Sequence, residues 1–369
     1  MRILFIRYKK SKGVMEGGEM CSQKNFNVLQ SIVGEGRIDT YYIHDEQHRS
    51  TMGDYVRGVV SMIVGGYYFG LTAKRTQEIL DRAQQYDCVF VDRSVFAIIA
   101  KRLKETGYRG KVFVFFHNVE THYFKDKIAW WKPWRPLVLH CVGRNDGYAC
   151  RYADKIIVLN DRDRKEIAQK YGRLADITTP IAIEDRAVIE EAAEDSMTPA
   201  QPLCLFLGAY FPANCEGILW FVENVLPEVD IRLCIVGKGM KRFENEVKTK
   251  AGSKGGNVQV VSDAPDLAPY FQKADVVILP IFKGSGMKVK TCECLMWGKN
   301  IMGTQEAFEG YKVDYEKVGA RCQTKGEFIE ALRNLSCHPR PRYNRYARET
   351  YLQHYTEDAV RKEWLRLWD

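Results

Sequence analysis

The side chains best suited to chemistry follow an apolar run in the second half of the chain. A turn of two glycines around a serine leads into two lysines, in the order Gly284, Ser285, Gly286, Lys288 and Lys290. Glycines let a backbone approach an anion closely, and the N-terminus of a following helix directs N–H groups and positive charge at the same place. The pattern predicts a phosphate site, and two lysines suit a diphosphate better than one.

Glu293 lies one helical turn further on, where a carboxylate can accept hydrogen bonds from the hydroxyls of a ribose. Lys290 and Glu293 are i,i+3 neighbours, so the alternative is a surface ion pair worth about 0.3 kcal/mol. A Walker-type phosphate loop is excluded, because the chain lacks its G-x-x-x-x-G-K-[ST] pattern. The helix that positions these residues is predicted from Met287 to Trp297, with Met287 at the phosphate site.

Apolar runs of strand length alternate with amphipathic stretches along the whole chain. Nine strands are predicted, at RILFIRY, IDTYYIH, YDCVFVD, GKVFVFFHN, DKIIVLN, PLCLFLGAY, IRLCIVGKG, NVQVVSD and ADVVILPIF. Strand and helix in repeated alternation predict doubly wound parallel sheets of the α/β class. A length of 369 residues favours two such domains.

Composition indicates where the domains meet. After residue 180 the chain turns acidic and alanine-rich and then reaches a proline. We predict an N-terminal domain over 1–183, a linker over 184–202, a second domain over 203–342 and a terminal helix over 343–369. The tail repeats aromatic residues at helical spacing, and we expect it to pack back on the first domain.

Charge and composition exclude several classes of protein. Residues 1–180 hold 30 Lys and Arg against 20 Asp and Glu, whereas 181–369 hold 25 against 27. The sequence has no nucleic-acid-binding motif, so the basic half is either an ordinary solvated surface or faces an anionic membrane leaflet.

No run reaches the ~20 apolar residues of a transmembrane helix. The first residues are typical of a strand and not of a signal peptide. Eleven scattered cysteines predict reduced thiols in a cytoplasmic protein.

Two further glycine-bearing turns follow strands in the second half. Gly208 comes after PLCLFL and precedes Asn214, which is predicted to cap the next helix, and Gly237 and Lys238 come after IRLCIV. The carboxyl ends of parallel strands meet at one edge of a sheet, where ligands of open α/β sheets bind. These turns and the one at Gly284 therefore predict a concave rim around the phosphate site.

The segment that carries these turns resembles a known family. FLGAYFPANCEGILWFVENVLPEV, IRLCIVGKG and SDAPDLAPYFQKADVVILPIFKGSGMKVKTCECLMWGKNIMGTQEAFEG are similar in order and spacing to the donor-binding half of glycosyltransferase family 4. These are the group 1 glycosyltransferases, with two Rossmann-like domains in the GT-B fold and a cleft between them. The resemblance implies transfer of a sugar from a nucleoside diphosphate donor, with retention at the anomeric carbon.

The family pattern also implies roles for particular residues. Glu293 takes the position of the ribose-binding glutamate, but the second glutamate that many members carry eight residues earlier is Ser285 here. A subgroup with G-x-G-x-K-x-K before a single glutamate resembles this chain better. Many members hold the diphosphate with an Arg and a Lys in the first turn of the donor domain. GAYFPAN has neither, so Lys288 or Lys290 would serve instead.

The first domain contributes three candidate residues. His117 follows the strand VFVFF, faces the cleft by the strand-end rule, and resembles the histidine that family members place near the transferred sugar. Its expected role is a hydrogen bond to the sugar or the reaction centre, and the alternative is a structural histidine bonded to backbone. Gly17 and Gly18 match the family's glycine loop after the first strand, where acceptor and diphosphate meet. A plain flexible loop is the alternative for the glycines.

Departure of the diphosphate builds negative charge that lysines and a helix N-terminus can stabilise without a metal. We therefore expect neither a metal nor a tightly bound cofactor, and the resemblance implies attack on the face from which the diphosphate leaves.

The residues Asp161, Arg162 and Asp163 form the D-x-D sequence by which a different glycosyltransferase fold binds manganese. Here it lies at a predicted helix start, with Asn160 or Asp161 as the cap.

The segment IAWWKPWRPL at 128–137 bears on the acceptor. Its three tryptophans among basic residues and prolines are typical of a lipid interface, and an aromatic cluster under a loop fits equally well. We expect a saccharide or lipid-linked acceptor at the cytoplasmic leaflet, in cell-surface polysaccharide or glycolipid synthesis, and no nucleic-acid partner. Two alternatives stay open. One is an inverting GT-B enzyme or sugar-nucleotide epimerase, and the other is a catalytically silent protein that binds nucleotide or scaffolds a complex.

Overall fold

The apolar runs of the sequence form two sheets of six strands, and every neighbouring pair of strands is parallel. These features come from a computed structural model, which describes residues 1–9, 17–44, 52–68, 70–189 and 196–368. The chain divides into two units. The first comprises Met1–Ala182 with Glu357–Asp369, and the second comprises Ile183–Thr356. The predicted pair of doubly wound α/β folds is confirmed.

The first unit begins with the N-terminal strand. Its strands are β1 (Ile3–Lys9), β2 (Ile38–His44), β3 (Cys88–Val91), β4 (Lys111–Phe116), β5 (Lys155–Val158) and β6 (Ile177–Thr178). Its helices up to residue 182 are α1 (Gly17–Val33), α2 (Met52–Gly65), α3 (Ala73–Ala83), α4 (Ile98–Glu105), α5 (Glu120–Lys127), α6 (Arg135–Tyr152) and α7 (Asp161–Tyr171). The strand order is β2-β1-β3-β4-β5-β6. The order reverses between β1 and β3, so the ligand crevice of this unit is expected at their carboxyl ends.

The second unit repeats the design. Its strands are β7 (Leu203–Leu207), β8 (Arg232–Gly237), β9 (Val258–Ser262), β10 (Val276–Leu279), β11 (Asn300–Gly303) and β12 (Gly319–Arg321). Its helices are α8 (Pro212–Asn224), α9 (Glu244–Ala251), α10 (Ala268–Lys273), α11 (Val289–Met296), α12 (Tyr315–Val318), α13 (Lys325–Cys337) and α14 (Arg345–His354). The order β12-β11-β10-β7-β8-β9 is that of a Rossmann sheet counted from β7. Its reversal lies between β7 and β10.

The tail forms two helices where the sequence predicted one. Helix α14 packs against α11 in the second unit, whereas α15 (Glu357–Leu365) packs against α1 in the first. Trp364 of α15 is fully buried, stacks on Phe90 and Phe115, and donates its indole N–H to the hydroxyl of Thr179 at 2.9 Å. The last helix is therefore part of the core of the first unit.

Two sequence expectations concern the whole chain. All eleven cysteines lie in described residues and carry free thiols. Within the described ranges, no helix combines the length and the apolar character needed to cross a bilayer.

Candidate functional site

The glycine turns of the second unit lie at the carboxyl ends of its central strands. Gly208 follows β7 directly, and Gly284 lies just beyond β10. Gly237, the last residue of β8, approaches the neighbouring turn so closely that a Cβ there would lie 1.8 Å from the carbonyl oxygen of Gly208. The same turns are joined by a hydrogen bond of 2.8 Å from the backbone N–H of Tyr210 to the carbonyl of Lys238. Two turns of the predicted rim are thus in direct contact, and Gly208 and Gly284 lie on either side of the reversal of strand order between β7 and β10.

Lys288 holds the loop that contains Gly284, Ser285 and Gly286. Its ammonium donates to the carbonyl oxygens of Ser285 and Gly286 at 3.3 and 3.0 Å and pairs with Glu306 at 2.6 Å. Gly284 and Gly286 have φ angles of 151° and 62°, which favour glycine. A lysine ammonium has three N–H groups, and three acceptors already surround this one. Lys288 therefore fixes the loop, in contrast to its expected role of neutralising a phosphate.

Helix α11 begins at Val289, inside the predicted span. Met287 is buried and, like Lys288, precedes the helix. The half-buried Lys290 lies in its first turn. Its ammonium donates to Oδ1 of Asn214 at 2.6 Å and lies 5.0 Å from the centre of the Phe206 ring. No second acceptor among the described residues binds this ammonium, so two of its N–H groups stay available for a ligand.

Burial lowers the pKa of Lys290 to about 8, and the nearby charge of Lys288 adds to the effect. A lysine with this pKa is mostly charged at pH 7 but loses its proton soon above it, so an anionic ligand would stabilise its protonated form.

Asn214 has a different position from the predicted one. The N-cap of α8 is Phe211, and Asn214 lies in the first turn of that helix. Its amide nitrogen donates to the carbonyl of Ala209 at 2.8 Å, which leaves its oxygen pointing at Lys290. Asn214 therefore orients the lysine and does not cap the helix.

Glu293 lies one turn after Lys290 on α11 and is half-buried. Burial raises its pKa to about 7, against the opposing charges of Arg186 and Lys290. Among the described residues no donor forms a hydrogen bond with its carboxylate, and Lys290 bonds to Asn214 and not to Glu293. A half-buried carboxylate with free acceptor sites is suited to hydroxyl groups of a ligand.

Comparisons with known proteins bear directly on this region. Residues 201–337 match the model of the family described as glycosyl transferases, group 1. The match covers the segment that contains the loop at Gly284, Lys290 and Glu293. The resemblance found in the sequence is confirmed, and the motif subgroup stays a prediction. No curated protein matches the chain in sequence.

Several solved structures share the fold of this chain over its full length. A sucrose-phosphate synthase from Thermosynechococcus elongatus is 13% identical with a TM-score of 0.68, covering 100% of this chain and 98% of that one. Anabaena Alr3699/HepE, solved with UDP and glucose, is 12% identical with a TM-score of 0.64, and the match covers 100% of this chain and 99% of that one. The lipopolysaccharide outer core galactosyltransferase WaaB is 12% identical with a TM-score of 0.65, covering 100% and 99%.

Sequence reasoning missed Glu306, the carboxylate that contacts the loop at Gly284 through Lys288. The position eight residues before Glu293 is Ser285, but Glu306 follows β11 and reaches the loop from outside α11. A Cβ at Gly284 would lie 3.5 Å from its Oε1 atom. The sequence did not reveal this ion pair because Glu306 lies 18 residues after Lys288.

The first unit places His117 directly after β4 in a buried polar cluster. Its Nε2 atom lies 3.3 Å from Oδ2 of Asp92, which follows β3. Ser22 and Asn25 of α1 also donate to Asp92, the latter at 2.8 Å. Burial alone would lower the pKa of His117, but the charges of Cys21 and Asp92 raise it. The partners of this histidine are side chains and not backbone, and they favour its protonated form, which suits His117 to donating a hydrogen bond.

The sequence could have revealed Asp92, because it ends the predicted strand YDCVFVD. Gly17 and Gly18, predicted to lie in a loop, form the first turn of α1, and residues 10–16 before them lie outside the described residues. Lys24 of α1 is also buried in this unit. Its ammonium lies 5.1 Å from the centre of the Trp364 ring, and burial lowers the pKa of Lys24.

The D-x-D sequence is the start of a helix, as predicted. The side chain of Asn160 accepts a hydrogen bond from the backbone N–H of Asp163 at 2.8 Å and caps α7, which begins at Asp161.

We expect Asn160→Ala to lower the free energy of unfolding by about 1 kcal/mol through loss of this cap. Urea denaturation measures the loss, and nucleotide binding should not change. A fall in nucleotide affinity with unchanged stability would instead indicate a ligand site at the D-x-D.

Proposed function

We propose that this chain is a retaining glycosyltransferase that moves a sugar from a nucleoside diphosphate to a saccharide or lipid-linked acceptor. One observation carries the proposal. Lys290, with two N–H groups to spare, and Glu293, with a carboxylate that no described donor binds, lie one helical turn apart beside the loop at Gly284. They point to a diphosphate and a ribose held side by side in the second unit.

The leaving group is the part of the donor that this arrangement serves. Lys290 would stabilise the negative charge that grows on the diphosphate as the bond to the sugar breaks. The loop held by Lys288 would supply close backbone contacts, with Gly208, Gly237 and Lys238 on the facing turns. Glu293 would hold the ribose.

We assign the remaining roles to the first unit. His117 would donate a hydrogen bond to the transferred sugar, and its raised pKa suits a donor better than a base. The acceptor side would include the helix start at Gly17 and Gly18. Retention would follow from attack on the face that the diphosphate leaves, with an oxygen of the leaving group taking the acceptor's proton.

The similar structures suggest which substrates to test first. One of them was solved with UDP and glucose, and another is named for the outer core of lipopolysaccharide. We therefore propose a uridine diphosphate sugar as donor and a cell-surface polysaccharide or glycolipid as product. The protein would act in the cytoplasm, on the inner face of the membrane.

We propose that catalysis needs no divalent cation, because Lys290 and the backbone supply the positive charge at the leaving group. Turnover should stay within about twofold when a chelator replaces Mg²⁺ or Mn²⁺ in the assay. Loss of turnover in chelator, with recovery on adding one of these ions, would overturn this part of the proposal.

The two site pKa values predict a narrow pH optimum for kcat/KM, which reports groups of the free enzyme. The carboxylate of Glu293 becomes protonated as the pH falls through about 7, and Lys290 loses its proton as the pH rises through about 8. We therefore expect kcat/KM to fall on both sides of this interval. Initial rates at low donor concentration measure the profile, and Glu293→Gln should remove the acidic limb and move the basic limb to lower pH, because the charge of Glu293 raises the pKa of Lys290. A profile unchanged in that variant would exclude Glu293 as its cause.

A donor panel tests the proposal itself. We expect the chain, incubated with UDP-, GDP-, ADP- and dTDP-sugars, to release free sugar slowly from one of them. Mass analysis of the products measures this release, and an epimerised sugar nucleotide would instead indicate an epimerase.

One observation favours a second candidate function. Three acceptors already occupy the ammonium of Lys288, so of the two lysines Lys288 and Lys290 the second is the one with spare donors. Nucleotide binding without turnover of any donor would favour this silent, nucleotide-binding reading.

A further inference from the structure

Three tryptophans stand in solvent on the first unit, in the segment between α5 and α6. Trp130, Trp131 and Trp134 are 79%, 65% and 51% exposed. Tryptophan is highly buried on average, and an exposed apolar cluster commonly marks an interaction site. This excludes the reading of the segment as an aromatic cluster under a loop.

Three hydrogen bonds hold the backbone of the segment that carries the tryptophans. The guanidinium of Arg135 donates to the carbonyls of Ile128 and Lys125, each at 3.0 Å, and the N–H of Lys132 donates to the carbonyl of Ala129 at 3.1 Å. The indole rings are therefore displayed from a fixed turn of backbone.

Helix α2 adds a second exposed apolar feature next to the same helix, α6. Val56, Val60 and Ile63 follow i, i+4, i+7 spacing along one face and are 55%, 50% and 56% exposed, whereas Met62 is buried. Helix α2 packs against α6, and Trp134 is the N-cap of α6. With 14 residues, α2 is too short to span a bilayer but long enough to lie in its surface.

The charges around the tryptophans are mainly positive. Between residues 125 and 135, Lys125, Lys127 and Lys132 are exposed against one acid, Asp126, and the ammonium of Lys132 lies 5.2 Å from the centre of the Trp134 ring. Indole rings favour the headgroup region of a membrane, and lysines are attracted to anionic lipids. Interfaces between proteins, in contrast, are depleted in lysine. The combination favours lipid over a protein partner.

We propose that these two features form a docking surface for a membrane rich in anionic lipid. The docking surface consists of six apolar side chains, Val56, Val60, Ile63, Trp130, Trp131 and Trp134, with the lysines at its edge. It goes beyond the proposed reaction, because membrane attachment requires neither a donor nor turnover.

Co-sedimentation of the full chain with vesicles tests the docking surface. We expect binding to phosphatidylcholine vesicles that contain phosphatidylglycerol, weaker binding to phosphatidylcholine alone, and loss as salt rises from about 0.1 to about 0.5 M. The triple variant W130A/W131A/W134A should bind at least about tenfold more weakly, and V56S/V60S/I63S should weaken binding similarly. Leu174→Ala is the matched control, because Leu174 is also an exposed apolar residue of the first unit.

Nucleotide binding by the same variants separates this inference from the proposed function. Unchanged nucleotide affinity with lost vesicle binding supports the docking surface. The inference is overturned if the wild-type chain ignores both vesicle types, or if the tryptophan variant changes only the oligomeric state seen by light scattering, which would indicate a protein partner. Equal losses in the Leu174 control would also overturn it.

Discussion

Replacing Lys290 by methionine is expected to lower donor turnover by about 10²–10³-fold, the usual cost of removing one fixed charge stabiliser. The reason is geometric. Lys288 already has three acceptors, whereas in the described part of the chain Lys290 donates to Asn214 alone, at 2.6 Å, and keeps two N–H groups for the diphosphate. Affinity for UDP and for inorganic pyrophosphate should fall together, as measured by calorimetry, because the lost contact is to phosphate.

A second-site variant sharpens the test. The tip of the side chain at position 214 meets the ammonium of Lys290, so a lysine placed there can deliver charge to the same point. We expect Asn214→Lys to restore much of the turnover lost in Lys290→Met. Lys283→Met is the matched control, because Lys283 lies near the same turn but is 70% exposed and paired with Glu216. A double variant as poor as Lys290→Met alone would mean that the lysine acts through packing and not through its charge.

Strands of the fold could be predicted from sequence wherever an apolar run was long enough to mark them. The run IDTYYIH coincides with β2, and the core strands β3 to β5 lie inside their predicted segments. The strands β6, β11 and β12 were missed. Two of them are only two and three residues long, and β11 is a buried strand set by its pairing with β10 and β12. Such strands are defined by their neighbours and not by their own composition.

The candidate site could be predicted as far as its residue types and its place at the strand ends. The sequence could not indicate which ammonium is free, because the answer depends on partners far along the chain. Lys288 meets Glu306 from a position 18 residues away, and Lys290 meets Asn214 from 76 residues away. Helix spacing gave the neighbours within α11 correctly but assigned Asn214 to a cap, since Asn is a common capping residue.

Replacing Glu293 by alanine is the second change expected to have a large effect, and its signature differs from that of Lys290. A carboxylate that accepts hydrogen bonds from two ribose hydroxyls makes charge-assisted bonds of about 1.5–3 kcal/mol each, so UDP affinity should fall by about 10²-fold or more. Affinity for inorganic pyrophosphate should not fall, because this ligand has no ribose and the removed group is itself negative. Calorimetric titration of both ligands measures the difference.

The matched control for this change is Glu216→Ala, which removes a glutamate that is 60% exposed and paired with Lys283. It should leave both affinities unchanged. If Glu293→Ala weakened UDP and pyrophosphate equally, Glu293 would act on the phosphate site through α11 and not on the sugar of the nucleotide. The two variants together therefore divide the pocket into its phosphate half at Lys290 and its ribose half at Glu293, since only the first should affect pyrophosphate.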